Sequence, residues 1–253
     1  ITVVSPVDAD AGPDVSYCFS LNDTAHLVGL PSNGTWTDIQ NPTWLFTDGA
    51  VLLNQADTSE VIFTVGSGSC QTWDTASVVI FPLPFVEAGV DTFRCFDDPC
   101  FQLLPPIPTG GIWSGNGITN SNGLFCSQIA GEGSQTINYV IDTIYTYQNL
   151  QSTCFNEDSL SVLVVPMPIP GLTIDPVLCI NVNYTLGNQS SGSASNFEWI
   201  IIEQTQNDTV FYSTAAAPTI NITTAGNYQL ILNSISPYGC SVSTSSSFIV
   251  VEP

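Results

Sequence analysis

At 253 residues the chain has room for one to three domains. A single basic residue, Arg94, stands against 22 acidic ones, and the formal net charge of −21 excludes partners that must be neutralised by Lys and Arg, namely nucleic acid and anionic bilayers. With 43% hydrophobic and 9% charged residues the composition is not that of a disordered chain, and no apolar run approaches the roughly 20 residues of a membrane helix.

The chain opens on ITVVSPVDADAGPDVSYC, and nearly the same phrase returns as VVIFPLPFVEAGVDTFRC from Val78 to Cys95. Each reads as the closing strand of one unit, a proline-stiffened hinge and the first strand of the next, so the sequence is a tandem array. Ile1 starts inside a strand on this reading, and residues 1–8 are expected to be the end of a preceding repeat and its linker, within a segment of a longer chain. Repeat 1 covers residues 9–84, with Cys18, Trp36, Cys70 and a closing strand Ser77–Phe81. Repeat 2 covers residues 85–168, with Cys95, Trp113, Cys154 and a closing strand Leu160–Val165. Eighteen positions separate cysteine from tryptophan in both. The extra residues of repeat 2 fall mostly in 142–151, where a hairpin loop lengthens at small entropic cost. Repeat 3, residues 169–253, keeps Cys179, Trp199 and Cys240 but lacks the Ala-Gly-x-Asp opening. Alternate residues are apolar in Asn196–Ile202 and Asn227–Leu232, the period of a strand with one face buried. Pro82, Pro84, Pro166, Pro168 and Pro170 restrict the hinges.

Short strands, regular turn signals and a Cys…Trp…Cys order predict an all-β chain with an immunoglobulin-like sandwich in each repeat, strung in an extended array. Eight cysteines with no CxxC pair and one histidine argue for disulfides and an oxidising, extracellular compartment over a zinc site. The repeat register pairs Cys18 with Cys70, Cys95 with Cys154 and Cys179 with Cys240, and leaves Cys100 for Cys126. A bridge across about fifty residues would stabilise each sandwich by roughly 4 kcal/mol on the chain-entropy model.

No catalytic constellation stands out, and the chain is read as a non-enzyme. His26 has no second histidine beside it and lies in a short apolar run, which suits a packed or edge position. The neighbouring carboxylates Asp97-Asp98 and Glu157-Asp158 read as solvated loops. The glycine run from Gly110 to Gly117 has no lysine and no following helix, so tight turns beside Trp113 explain it better than a phosphate loop. Asp8, Asp10, Asp14, Glu87 and Asp91 gather at the hinges as candidate Ca²⁺ ligands, although no complete ligand loop is present. Trp36, Trp113 and Trp199 align between repeats and are expected in the cores, whereas Trp44 and Trp73 are not repeated and are the candidates for exposed contact.

The DAGPD…C opening, the PSNGTW and GGIWSGNG stretches, GLF at Gly123–Phe125 and the closing strand before proline resemble a known class. They are similar to the Ig-like and PKD-like repeats of giant cell-surface adhesins of the Bacteroidota, including the SprB-type gliding-motility adhesins. AGNYQLIL at Ala225–Leu232 and YGC at Tyr238–Cys240 are closer to the PKD-like variety. The resemblance implies cell-surface display through a type IX route and a role in adhesion or filament formation. It implies as partners neighbouring repeats, other copies in a filament, and surface glycans or cell-surface machinery. It also brings an O-glycosylation pattern, Asp-Ser/Thr before an aliphatic residue, which marks Thr24, Thr75, Thr143, Ser159 and Thr209. The function expected is therefore that of a structural and adhesive stalk or filament segment; the alternative is a carbohydrate-binding accessory region of a secreted enzyme.

Overall fold

The computed structural model describes residues 5–38, 40 and 43–252, so the strand end expected at Ile1 lies outside the described residues. Repeat 1 supplies β1 (Val15–Cys18), β2 (Thr24–His26), β3 (Thr35–Asp38), β4 (Ala50–Leu52), β5 (Asp57–Val65) and β6 (Thr72–Phe81). One sheet has the order β1-β6-β5-β3 and the other pairs β2 with β4. Repeat 2 supplies β7 (Thr92–Cys95), β8 (Phe101–Gln102), β9 (Ile112–Gly115), β10 (Ile118–Asn120), β11 (Leu124–Phe125), β12 (Gly133–Tyr147) and β13 (Leu150–Val165), with a single helical turn α1 at Ser127–Ala130. Its sheets run β7-β13-β12-β9 and β10-β11-β8. β14 (Pro168–Ile169) spans the boundary of repeats 2 and 3, and repeat 3 goes on with β15 (Leu172–Thr173), β16 (Val177–Cys179), β17 (Asn183–Thr185), β18 (Gly187–Asn188) and β19 (Ser191–Gly192). It continues through β20 (Asn196–Glu203), β21 (Asp208–Ser213), β22 (Thr219–Asn221), β23 (Gly226–Ile235) and β24 (Ser241–Val251). The large sheet is β16-β24-β23-β20-β21, and β17 pairs with β22.

One plan therefore recurs three times. A short first strand lies parallel to the last strand, which pairs in turn with its hairpin partner and then with the strand that carries the tryptophan. This is the arrangement of tandem immunoglobulin-like β-sandwiches, and the chain is all-β in that sense. By compactness the chain divides into two units, residues 1–88, 106–112 and 139–158, and residues 89–105, 113–138 and 159–253.

In the first unit, β3, β4 and β5 send Trp36, Val51, Val61 and Phe63 into one core with Leu27 and Trp44. Alternation in β5 makes this possible: Ser59, Val61, Phe63 and Val65 are buried and their neighbours are not. Trp36 is packed so closely that Gly49, at φ +90°, would drive a Cβ to 2.9 Å from the indole nitrogen. Gly123, at φ +91°, stands against Trp113 in the same way, and only glycine meets both demands. In the second unit, Trp199, Ile201, Tyr228, Leu230 and Leu232 form a core with Leu186 and Ile220 from the facing strands, as the alternating patterns of β20 and β23 predict. Trp199 also donates its indole N–H to the Ala215 carbonyl at 3.0 Å.

Two expectations change. Residues 142–151 do not lengthen a loop: they lengthen the strands of the hairpin, whose turn falls at Gln148, φ 51°. Trp44 is only 1% exposed and belongs to the first core, while Trp73 is 68% exposed.

Candidate functional site

The strand register decides which cysteines can meet. Cys18 lies opposite Phe81, Cys95 opposite Val165 and Cys179 opposite Val251, in each case the last residue of the parallel strand pair. The hairpin cysteines Cys70, Cys154 and Cys240 each stand eleven residues before that partner. Eleven residues of strand at ~3.3 Å each span about 36 Å. A disulfide needs Cα atoms about 4.4–6.8 Å apart, so the two cysteines of one repeat sit at opposite ends of their sandwich and cannot bond.

The bonds run between repeats instead. Cys18 is joined to Cys154 and Cys95 to Cys240, while Cys100 is joined to Cys126. Cys70 and Cys179 carry free thiols. The expected pairings Cys18–Cys70, Cys95–Cys154 and Cys179–Cys240 are therefore corrected, as is the expectation that all eight cysteines are bonded. Each long-range bond links the end of a first strand in one repeat to the hairpin of the repeat that follows it.

The first junction shows why the hairpin of repeat 2 is long. Its added strand residues bring Tyr145, Leu150 and Cys154 against Val79, Phe81 and Leu83. Tyr145 stacks on Phe81 with ring centroids 5.4 Å apart, and the Ser16 and Ser152 hydroxyls lie 2.8 Å apart. Val79 and Phe81 alternate with the core residues Val78 and Ile80, so this contact buries the second face of β6, leaving Val79 2% and Phe81 7% exposed. In the second junction Phe93 meets Tyr238, with centroids 5.2 Å apart, two residues before Cys95 and Cys240. Ser16 and Ser152 hold the same positions relative to Cys18 and Cys154. The two junctions thus share one geometry, with different side chains filling it.

The repeated hinge motif has a separate task. The Ala11 N–H donates to Asp74 at 2.8 Å, and the Ala88 N–H donates to Asp158 at 2.8 Å. In return the Ser77 N–H donates to Asp14 at 2.7 Å and the Ser161 N–H to Asp91 at 2.8 Å. These charge-assisted bonds fasten the incoming hinge to the closing strand of the same repeat. Of the candidate Ca²⁺ ligands, Asp14 and Asp91 are so engaged, Asp10 accepts the Gly12 N–H at 2.8 Å, and Glu87 bridges Ile107 through its backbone. Asp8 is exposed. Among the described residues no three metal-ligating side chains gather.

The remaining residues singled out in the sequence are dispersed. His26 is exposed at the end of β2. Asp98 closes a turn by accepting the Cys95 N–H at 2.9 Å, and Glu157 and Asp158 lie within β13, not in a loop. Gly111 donates to the Tyr139 hydroxyl, which donates in turn to the Pro108 carbonyl, so this part of the glycine run serves a turn. Of the marked hydroxyls, Thr24, Ser159 and Thr209 are exposed and Thr75 and Thr143 are half-buried. Arg94, the single basic residue, has its guanidinium 3.9 Å from the centre of the Phe101 ring, a contact the sequence reading did not anticipate. The chain's one cation is thus engaged within the fold.

No protein-family model and no curated protein matches the chain. Among solved structures it is similar to a three-domain immunoglobulin segment of titin, at 13% identity and a TM-score of 0.42, covering 98% of this chain and 100% of that one. It is similar to extracellular domains 3–5 of Drosophila OTK at 10% identity and a TM-score of 0.36, covering 98% and 97%. It is also similar to the four N-terminal Ig domains of a Dscam isoform, at 10% identity and a TM-score of 0.29, covering 99% and 74%.

Proposed function

We propose that the chain is a structural and adhesive segment of an extracellular surface protein, in which immunoglobulin-like repeats at residues 9–84, 85–168 and 169–253 are held in sequence by covalent junctions. One observation carries this reading: Cys18–Cys154 and Cys95–Cys240 each tie one repeat to the next. A hinge made of backbone alone is a single flexible tether, and a second covalent link across the same hinge restricts its bending and shares the load. Disulfides of this kind persist in oxidising compartments, which supports a location outside the reducing cytosol. The low content of basic residues, one in 253, leaves a surface without the means to hold nucleic acid.

Relation to the gliding-motility type of adhesin, a type IX route and contact with surface glycans are the finer parts of the proposal, supported by the hinge and Gly-x-Trp motifs. So is glycosylation, for which Thr24, Ser159 and Thr209 are the better placed residues because they are exposed. Antibody raised against this segment is expected to decorate thin surface filaments on unpermeabilised cells of the native source. Label that appears only after permeabilisation contradicts the reading. Mass spectrometry of the same natively purified protein is expected to find sugar on those three hydroxyls, and bare residues at all three remove that part.

A further inference from the structure

A cleft of about 490 Å³ opens beside Cys18 at the first junction, within the range of about 300–1,000 Å³ usual for ligand sites. The residues lining it all belong to the first compact unit. Leu53, which is buried, and Leu83, which is half-buried, give it apolar walls, and Phe155 adds a ring that is 70% exposed. The exposed residues Asp23 and Glu157 stand at the same cleft. An apolar surface rimmed by polar groups in this way is the mark of an interaction site.

The junction itself does not ask for Phe155. The residue that follows the hairpin cysteine is Phe155 in repeat 2, but Gln71 in repeat 1 and Ser241 in repeat 3. The bond between Cys95 and Cys240 forms with that serine in place, so an aromatic ring is no condition of the geometry. Glu157 is likewise particular to this repeat, because Trp73 and Ser243 hold its position in the other two. Ring and carboxylate therefore belong to the cleft and not to the common plan.

The polar groups say what kind of ligand fits. A sugar needs donors as well as acceptors, but the Asn156 amide is already spent: it donates to the Pro84 carbonyl at 3.0 Å and accepts the Glu157 N–H at 3.0 Å. Asp23 and Glu157 offer carboxylates, which only accept. Two acceptors beside an exposed aromatic face suit a planar cation that donates hydrogen bonds from its edge and stacks by its face, which is a guanidinium. The chain makes half of that contact internally, where Arg94 lies 3.9 Å over the Phe101 ring.

We propose that the cleft takes an arginine side chain projecting from a basic partner protein. Its guanidinium stacks on Phe155 and donates to Asp23 and Glu157, while its methylenes lie along Leu53 and Leu83. The partner is not another copy, since the single basic residue of this chain is Arg94, already packed on Phe101 with its Nε buried. A net charge of −21 draws a basic partner in from a distance, so binding weakens as salt screens the field. The inference rests on the reading of the chain as an adhesive segment and names the chemistry of what it holds.

The test titrates the whole oxidised 253-residue chain, isotope-labelled for NMR, with a glycine-flanked peptide carrying one arginine. Amide shifts are expected to concentrate at Ser20, Asp23, Leu53 and residues 155–157. The same peptide with citrulline, neutral and nearly isosteric, should bind at least about tenfold more weakly. Phe155→Ser should weaken the arginine peptide about threefold, and Asp23→Asn with Glu157→Gln about tenfold. Asp175→Asn, an exposed carboxylate of repeat 3, should change it by less than about twofold. A non-reducing digest showing Cys18 joined to Cys154 in every variant separates lost binding from a lost junction. Shifts scattered over the acidic surface, equal binding of the citrulline peptide, or indifference to Phe155→Ser overturn the proposal. So does maltohexaose moving these amides where the arginine peptide does not, or self-association that Phe155→Ser abolishes. Any of these results removes the arginine site alone, because antibody labelling of surface filaments reads the proposed function independently.

Discussion

Pulled by its ends to full extension, the oxidised chain should reach only about a quarter of the length it reaches after reduction. The shortest covalent path runs from Ile1 to Cys18, crosses to Cys154, returns along the chain to Cys126, crosses to Cys100, and continues from Cys95 across to Cys240 and on to Pro253. That path holds about 67 residues, which at ~3.5 Å each extend to about 240 Å, against about 890 Å for the whole chain. The two long-range loops overlap, and this is why so much of the polypeptide is shielded from load. Cys154→Ser should lengthen the oxidised limit by about 150 Å, because the path must then follow the backbone from Ile1 to Cys95. Cys70→Ser should leave it unchanged. Single-molecule force spectroscopy with and without reductant reads all three lengths. An oxidised limit that grows when Cys70 is replaced contradicts the junction scheme.

Replacing Trp199 by alanine should cost the third sandwich about 3–5 kcal/mol, the range for a fully buried large aromatic. Trp199 is fully buried, packs among Ile201, Leu230 and Leu232, and its indole N–H holds the Ala215 carbonyl. Truncation removes the apolar contact, leaves a cavity and strands a carbonyl together. For a domain of this size the loss corresponds to a fall of about 15–25 °C in the melting transition of that repeat. Trp73→Ala is the internal comparison: at 68% exposure it should shift stability by no more than about 0.5 kcal/mol. Calorimetry of the two variants checks both figures, and equal effects would mean that the core assignment is wrong.

Much of the architecture was legible because it rests on periodicity. Alternating apolar positions in β20 and β23, and tryptophans in register between repeats, carry enough information to place strands and cores from local sequence alone. Trp44 was not, since it has no counterpart in the other repeats and sits in an irregular stretch between β3 and β4; its burial depends on what folds over it. The cysteines were misassigned for a related reason. Repeat comparison shows which positions correspond but not which ends of the sandwich they occupy, so the repeat register alone suggests a bridge within each repeat. Two signals pointed the other way. Each hairpin cysteine lies a full strand length from the strand end, and residues 142–151 contain no glycine or proline while keeping Ile144, Tyr145 and Leu150, the composition of a strand and not of a loop. The hinge aspartates were recognised as a cluster, yet the acceptor role of Asp14 and Asp91 depends on Ser77 and Ser161, and Asp74 and Asp158 accept in turn from Ala11 and Ala88; only the folded register brings these groups together.

A peptide map of the monomer without reduction tests the central claim most directly. After free thiols are alkylated, cleavage at aspartate and glutamate serves better than cleavage at the single basic residue. The predicted result is one linked pair carrying Cys18 and Cys154, a second carrying Cys95 and Cys240, and alkylated Cys70 and Cys179. Recovery of Cys18 joined to Cys70, or of Cys179 joined to Cys240, would contradict it.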